Sequence, residues 1–447
     1  MHIQLSEKFT TRKLLRFTMS SILMMVFISI YSVVDGFFVG RYVGSNGLAA
    51  VNIVFPLIMT IGSFGFMLGT GGTAEVARAM GEKRDQAANQ YFSFLTLVTV
   101  LMGVFLSLLA FIFMEPLCYF MGASELIIGD AVTYGRICAL GTGFFMLQGF
   151  FQSFFVTAER PKIGFFLSIL SGIINIFLDW LLVGVWGMGL SGAAIATVCG
   201  FMISGLIPVF YFFSANSSRL QFSKPVKDLS MLLASMSNGA SEMVTNISRS
   251  LITVLFNIRL MRLLGEDGVA AISVMLYIEF IFTAVLIGFS IGAAPVIGYH
   301  FGARKGDELK KLYHSCLKIV GVVSVAMFII SELAAPALVS IFLGDNPVLI
   351  ELTVHGFRIF AVSFLFCGFN IFASAYFTAL GDGRVSAIIS FTRTLFLQVI
   401  MILLLPQLFG IQGIWMALPV AEALSLGLTF WYFKQQQSIF KICPTDR

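Results

Sequence analysis

The segment GRYVGSNGLAAVN at residues 40–52 returns later in the chain as MRLLGEDGVAAIS at residues 261–273. This offset of 221 residues keeps one arginine, two glycines and an Ala-Ala pair in register. The same offset aligns three further pairs of segments: MGEKR from residue 80 with FGARK from residue 301, Thr157–Ala158 with Thr378–Ala379, and GLSG at 189–192 with GIQG at 410–413. Matches spread over the whole length without a net gap indicate two copies of one unit.

The composition indicates where this unit resides. Of the 447 residues, 58% are hydrophobic and only 11% are charged, whereas roughly a quarter of the residues of a soluble protein are charged. A soluble globular protein is therefore excluded, and the lipid bilayer is the expected environment. We interpret the net charge of +5 as basic loops at a membrane surface, with no nucleic acid as a partner.

Apolar segments long enough to cross a membrane recur from end to end. Cutting the chain at polar and Gly/Pro clusters gives twelve of them, at 14–40, 48–73, 91–114, 131–157, 163–184, 190–213, 231–261, 270–299, 312–342, 353–378, 387–405 and 411–433. Each copy of the unit holds six, and because six is even both copies enter the membrane in the same direction.

We therefore expect an all-α polytopic membrane protein with twelve transmembrane helices. Residues 1–220 and 221–447 are predicted to form two parallel six-helix bundles around a central cleft. Lys and Arg concentrate in alternate loops, which by the positive-inside rule predicts that both termini are cytoplasmic and that the protein lies in the inner or plasma membrane. Such paired bundles are typical of carriers whose halves rock around a site near the middle of the membrane.

Four polar residues of the first copy are predicted to share one layer of the membrane. Asp35 and Asp179 lie at similar distances from the inner ends of the first and fifth spans. Asn175 precedes Asp179 by four residues, on the same helix face, and Thr197 reaches a similar depth in the sixth span. Ionisable residues inside a span are a functional hypothesis by default, because charge in lipid is costly.

This layer suits a coupling cation. Two carboxylates, an amide oxygen and a hydroxyl make an oxygen cage for Na⁺, and two neighbouring carboxylates equally suit a proton carrier. Interhelical hydrogen bonds without a transport role are the structural alternative. At the equivalent positions the second copy carries only apolar residues: Phe256, Phe396, Ile400 and Leu418.

The second copy has its own intramembrane acids, Glu242 and Glu279, which are predicted to lie near the midplane among Phe, Met and Tyr residues. Carboxylates in such surroundings suit a cationic, aromatic substrate. The alternative for Glu242 is an ion pair with Arg249, seven residues on along the same face. Three further acids, Glu75, Glu332 and Glu422, are left without a role.

Motifs for other chemistries are missing from the sequence. It contains no GxxxxGK[ST] loop, no HExxH and no CxxC, and none of its four His residues is spaced as a metal pair. ATP-driven pumping and enzymatic activity are therefore not expected, and no cofactor is predicted beyond the coupling ion.

As a set, these segments resemble the multidrug and toxic compound extrusion (MATE) family over nearly the whole chain. The matching features are VDGFFVG and GxxGLAAVN around residue 40, MGEKRDQA from residue 80, NxxxD at 175–179, GLSGAAIAT from residue 189 and SIGAAPVIGYHFGARK from residue 290. The resemblance implies a V-shaped cleft between two bundles and export of cationic or amphipathic compounds in exchange for Na⁺ or H⁺.

The resemblance also bears on single residues. Asp35, Asn175, Asp179 and Thr197 match the cation site that the family carries in its first half, and Glu242 matches an acid of some members. Two positions depart from the family pattern. No proline stands at 19–21, where many members have one in the first helix, and Phe369–Asn370 stands where members with a second cation site have an Asp.

The sequence thus predicts a monomeric secondary active antiporter that works by rocker-switch alternating access. Its predicted cation-coupling residues are Asp35, Asn175, Asp179 and Thr197, and its predicted substrate-binding residues are Glu242 and Glu279. The alternatives are a lipid-linked oligosaccharide flippase of the same superfamily, which needs cationic residues facing the cleft, and a membrane scaffold that transports nothing.

Overall fold

The computed structural model describes residues 4–43, 45–121, 123, 125–214, 216, 218–343 and 347–436, and gives only the backbone at 32–42, 45, 46, 48, 49 and 266. Over these residues the chain is almost entirely helical and contains no β-strand. The twelve predicted spans all coincide with helices.

The described residues of the first half form seven α-helices. They are α1 (Thr11–Tyr42), α2 (Ser45–Gly81), α3 (Asp85–Ile112), α4 (Met114–Phe120), α5 (Ile128–Thr157), α6 (Pro161–Leu178) and α7 (Gly189–Phe213). A π-helical turn, Asp179–Val185, continues α6. Pro161 begins α6, where its missing N–H has no helical partner to lose.

The second half also contains seven α-helices. They are α8 (Leu229–Leu264), α9 (Glu266–Gly302), α10 (Gly306–Leu343), α11 (Pro347–Ala361), α12 (Phe364–Ala379), α13 (Gly383–Phe391) and α14 (Leu397–Gln435). A π-helical turn, Thr392–Phe396, joins α13 to α14. Asp228 caps α8 by accepting the Met231 N–H at 3.0 Å, and this hydrogen bond holds the pKa of the Asp228 carboxyl below its usual range.

The described helices account for twelve membrane crossings. Nine segments are long and apolar enough to span a bilayer, and α11 with α12 forms a tenth span bent by 50°. The more polar α8 adds a crossing, and Gly410, with a φ of 58°, breaks α14 into two. The twelve-span prediction is confirmed. The break at Gly410 falls between the predicted spans 387–405 and 411–433, whereas the bend between α11 and α12 lies inside the predicted span 353–378.

The two halves meet through α1 and α2 of the first and α8 and α9 of the second. The closest approach is between α2 and α8, where a Cβ added to Gly71 would lie 1.9 Å from the Ser235 carbonyl oxygen. A Cβ on Gly239 would lie 1.8 Å from the Met67 carbonyl oxygen. Only glycine allows two helix backbones to come this close, so the halves are closed at the membrane face where α2 ends and α8 begins.

A polar contact reinforces this closure. The Asn238 side-chain amide of α8 donates to Glu75 Oε1 of α2 at 3.0 Å, and its carbonyl oxygen accepts the Gly383 N–H at 3.0 Å. The Asn238 backbone oxygen accepts from the Thr378 hydroxyl at 3.1 Å. Asn238 thereby ties α2 to α8, α12 and α13, and gives Glu75 a partner that lies 163 residues away in the chain.

Enlarging one of the contacting glycines is expected to open this closure. The added methyl group of a Gly239→Ala variant meets the Met67 carbonyl, and overpacking of this kind costs about 1–3 kcal/mol. We expect a lower unfolding temperature and faster labelling of a cysteine placed at Ser235. The matched control is Gly427→Ala in α14, where an added Cβ meets nothing within 4 Å. Equal behaviour of the two variants would contradict the assignment of this contact as a seal.

Candidate functional site

A cavity in the second half gathers five ionisable residues of its spans. Five α-helices, α8, α9, α12, α13 and α14, line it together with the π-helical turn Thr392–Phe396 and Thr70 of α2. Its ionisable lining residues are Glu242, Glu279, Glu422, Arg249 and Arg393. Both acids predicted to bind substrate therefore face one cavity, together with an acid to which the sequence assigned no role.

Helix α8 faces this cavity along one stripe. Its lining residues lie on one helix face, because each is three or four residues from another member of the set. They are Glu242, Thr245, Arg249, Ile252, Thr253 and Phe256. The stripe is acidic at one end and apolar at the other, so a bound molecule would meet both characters along its length.

Glu242 and Glu279 are half-buried, and among the described residues neither takes part in an ion pair. The predicted alternative for Glu242, an ion pair with Arg249, is not formed within 4 Å in the described structure. Seven residues correspond to about 10 Å of helical rise, and the Arg249 guanidinium instead lies over the Phe280 ring, 5.2 Å from its centroid. Both carboxylates are thus available to a ligand in the cavity.

Glu422 belongs to a buried network that the sequence did not reveal. Arg393 Nε donates to the two Glu422 carboxylate oxygens at 2.7 and 3.0 Å. The Asn370 amide donates to Glu422 Oε2 at 2.7 Å, and the Thr429 hydroxyl donates to Asn370 Oδ1 at 2.8 Å. These hydrogen bonds hold residues of α12, of the π-helical turn Thr392–Phe396 and of α14 in one arrangement at the cavity wall.

The predicted cation layer of the first half lies where α6 and α7 pack together. Asn175 and Asp179 are buried, at 3% and 0% exposure. The two helices touch at Ser171, whose hydroxyl donates to the Gly200 carbonyl at 2.7 Å. Thr197 is half-buried and donates to the Ala193 carbonyl at 3.0 Å, which leaves the lone pairs of its hydroxyl oxygen available.

Helix geometry places Asp179 and Thr197 at one level, about one turn from Asn175. A Cβ added to Gly200 would lie 3.4 Å from Asn175 Cβ. Asp179 is one turn beyond Asn175, and Thr197 is one turn before Gly200; because α6 and α7 are antiparallel, both turns lead in the same direction. Asn175 Oδ1 is buried and has no hydrogen-bond partner among the described residues, which suits an oxygen ligand for a cation.

The side chain of Asp35 lies outside the described residues, although its helix α1 contacts both α6 and the π-helical turn that begins at Asp179. Among the described residues no group of three or more His, Cys, Asp or Glu side chains is arranged to hold a metal ion. A Na⁺ site here would therefore depend on amide and hydroxyl oxygens as well as carboxylates. The assignment of the four residues stays a prediction.

The polar residues of the predicted site in each half have apolar or uncharged counterparts at the equivalent positions of the other half. Phe256 and Leu418, the counterparts of Asp35 and Thr197, line the cavity of the second half as apolar residues. Conversely, the charged residues of that cavity have uncharged counterparts in the first half: Glu279 matches Ile58, Arg393 matches Gly172, and Glu422 matches Phe201. The duplicated units thus carry different polar sites on one scaffold.

A family model described as MatE matches the chain twice, over residues 20–181 and 242–404. One match falls in each copy of the internal repeat. The matched ranges contain the predicted cation residues Asp35, Asn175 and Asp179 and the cavity residues Glu242, Glu279 and Arg393.

Two curated bacterial proteins are similar over most of their length. The probable multidrug resistance protein YoeA of Bacillus subtilis is 27% identical over 414 residues, which are 89% of this chain and 87% of that protein. The multidrug export protein MepA of Staphylococcus haemolyticus is 23% identical over 398 residues, which are 88% of this chain and 86% of that protein.

Solved structures match the fold along nearly the whole chain. A crystal structure of MATE in complex with MaL6 covers 98% of both chains with a TM-score of 0.92 and 21% identity. An outward-facing conformation of a multidrug resistance MATE family transporter of the MOP superfamily covers 98% of both chains with a TM-score of 0.90 and 22% identity. The predicted fold of two six-helix repeats is thereby confirmed.

Proposed function

The chain belongs to the MatE family of membrane transporters, and from this premise we propose that it is a secondary active antiporter of the plasma membrane. It exports cationic or amphipathic drugs and toxic compounds in exchange for Na⁺ or H⁺. The observation that carries the proposal is the separation of two polar sites. One half has a cavity in which Glu242 and Glu279 form no ion pair with any described residue, and the other half has a buried layer with Asp179 and Asn175.

The cavity of the second half receives the substrate. Glu242 and Glu279 lie in a wall that also contains Phe256, Leu276 and Ile291. A cation with an apolar body gains attraction from the carboxylates and from the aromatic face, and it buries its apolar surface against the aliphatic residues. This combination favours export of amphipathic cations over strongly hydrated ions.

The layer around Asp179 receives the coupling ion. Helix α1 transmits the effect of ion binding to the other half, because α1 packs on α6 and also on α9. A Cβ on Gly288 of α9 would lie 2.6 Å from Ile22 Cα of α1, so these two helices move together or separate completely. An ion that binds one arrangement of α1 more tightly than the other shifts the whole transporter between its two states.

The orientation of the protein in the membrane is inferred from the positions of its basic loops. If the termini are cytoplasmic, the closed contact between α2 and α8 lies on the cytoplasmic side, and the structure corresponds to an outward-facing state. Rocking of the two halves about this contact then exposes the cavity alternately to the two sides.

The flippase alternative is less favoured by the cavity. Arg249 and Arg393 line it, but Arg358, a third arginine within the spans of this half, does not, and it instead lies 3.9 Å from Glu332. Three carboxylates share the cavity with the two guanidinium groups. A pyrophosphate would meet this surplus of negative charge, which like-charge repulsion opposes.

Reconstitution into proteoliposomes tests the proposal. Efflux of a fluorescent lipophilic cation is measured under an imposed Na⁺ gradient and, separately, under an imposed pH gradient, with an Asp35→Asn variant as the control. Acceleration by one gradient that disappears in the variant supports the antiporter and identifies its ion. If neither gradient accelerates efflux, the antiporter proposal fails, and lipid-linked substrate translocation is the next assay. A scaffold would show neither activity and no ion-dependent thermal shift.

A further inference from the structure

Helices α1 and α10 begin side by side, although they belong to different halves. Phe9, just ahead of α1, packs on His300 near the end of α9, with ring centroids 6.2 Å apart, and α10 begins shortly after His300. The Thr11 hydroxyl of α1 donates to the Ser315 hydroxyl of α10 at 3.3 Å. Both helices cross the membrane from this end, so they run in the same direction, and they touch over only a short stretch.

Beside this contact each helix turns one stripe of exposed side chains outward, spaced as one helix face. The stripe of α1 consists of Arg12, Arg16, Met19, Leu23 and Ile30, and the stripe of α10 consists of Lys311, Lys318, Val322, Val325, Ile329 and Leu333. The apolar members are all at least 43% exposed. Each stripe therefore begins with positive charges and continues as an apolar surface, which is the order in which a phospholipid presents its headgroup and its acyl chains.

Three cations of these stripes have no partner in the part of the chain that the structure describes. Arg12, Arg16 and Lys318 are exposed and form no ion pair there. The remaining cation, Lys311, lies 3.0 Å from Glu308. Positive charges in loops outside a span are explained by the orientation of the protein alone. Arg16 and Lys318 differ, because both fall inside predicted spans, where an unpaired charge that faces lipid is costly.

The two intramembrane cations lie at similar depths on either side of the contact between α1 and α10. Arg16 is five residues beyond Thr11 and Lys318 is three residues beyond Ser315, which corresponds to about 7.5 and 4.5 Å of helical rise. Arg12 is next to Thr11, at the level of the contact itself. Long basic side chains turn their charged ends toward the membrane surface, so one phosphate at headgroup level is within reach of cations from both halves.

We propose that an anionic phospholipid binds at this place, in the leaflet on the side where α1 and α10 begin. Its phosphate accepts hydrogen bonds from Arg12 and Arg16 of the first half and from Lys318 of the second. Its acyl chains lie along the apolar parts of the two stripes. Because the lipid contacts both halves, it stabilises the arrangement in which the beginnings of α1 and α10 touch. This site is separate from the cavity and from the layer around Asp179.

Native mass spectrometry of the purified protein in detergent measures this binding directly. The protein is titrated with phosphatidylglycerol and, separately, with phosphatidylcholine that has the same acyl chains. We expect tighter binding of phosphatidylglycerol, because the choline group of the other lipid opposes the three cations. Equal affinity for the two lipids would overturn the proposal. Equal affinity for glycerol 3-phosphate, which has the phosphate but no acyl chains, would show a site for soluble phosphates and overturn the assignment to a lipid.

Variants on the two helices test whether the lipid bridges the halves. Arg16→Gln and Lys318→Gln are each expected to weaken phosphatidylglycerol binding roughly fivefold, which corresponds to the attraction of one basic residue to an anionic lipid surface. A Lys318→Arg variant keeps the charge and is expected to bind as the wild type does. A loss that occurs on only one of the two helices would contradict a bridging site.

The matched control is Arg384→Gln. Arg384 is an exposed cation in the first turn of α13 and forms no ion pair with any described residue. It is expected to leave lipid binding unchanged. An equal loss in the Arg384→Gln and Lys318→Gln variants would show a response to overall surface charge and overturn the proposed site. No ion gradient is applied, so a failure of gradient-driven efflux would disprove antiport and leave this test intact.

Discussion

An Asp179→Asn variant is expected to lose gradient-driven efflux, with a rate at least about tenfold below wild type, while it still binds substrate in detergent. The Asp179 side chain is fully buried, at 0% exposure, and asparagine keeps its size but not its charge. An amide neither releases a proton nor neutralises Na⁺, so the ion no longer distinguishes the two states. Efflux from proteoliposomes and substrate binding in detergent are the two measurements.

The matched control is Asp130→Asn. Asp130 is an exposed acid in the first turn of α5, in the same half of the protein, and its loss is expected to leave efflux unchanged. Wild-type efflux from the Asp179→Asn protein would remove Asp179 from the coupling site. A loss of substrate binding together with efflux would instead indicate a damaged fold.

Replacing Glu422 with Gln is expected to destabilise the protein by about 3–5 kcal/mol, the usual cost of removing one member of a buried ion pair. Glu422 is 1% exposed, and its removal leaves the Arg393 charge without its partner. Thermal unfolding of the purified protein measures the change. The double variant Arg393→Met with Glu422→Leu is expected to recover most of the loss, because it removes both charges.

The pair of Lys311 and Glu308, 3.0 Å apart in the first turns of α10 and ahead of the predicted span, provides the comparison. The Lys311 side chain is 67% exposed, and a Lys311→Gln variant is expected to change stability by less than about 1 kcal/mol, since surface ion pairs contribute little. Similar unfolding temperatures for the Lys311→Gln and Glu422→Gln variants would show that the buried pair stabilises the protein no more than a surface pair.

The sequence predicted the membrane spans and the repeat because both are carried by local patterns. Apolar length decides whether a segment spans the bilayer, and glycines at the ends of helices keep the offset between the copies visible. The break at Gly410 falls at the predicted boundary between the spans 387–405 and 411–433. The 50° bend between α11 and α12 was not predicted, because it lies inside the predicted span 353–378.

The sequence identified the cavity residues that are recognisable as acids within apolar spans. It missed the role of an acid whose partner is distant in the chain. Glu242 and Glu279 were identified because each is an acid within an apolar span, and both line the cavity. Glu422 had the same signal, but its partner Arg393 lies 29 residues away on another helix. Only packing determines which side chains of two helices meet, so no spacing rule reveals such a pair.

The glycine contact between α2 and α8 has a consequence for the ion gradient itself. At Gly71 and Gly239 the space between the helices is smaller than one methyl group, since an added Cβ would lie under 2 Å from a backbone oxygen. A water molecule does not fit between the two backbones at this point. For the antiporter proposed above, this contact blocks the direct path of hydrated ions between α2 and α8, which limits loss of the driving gradient while the transporter is idle.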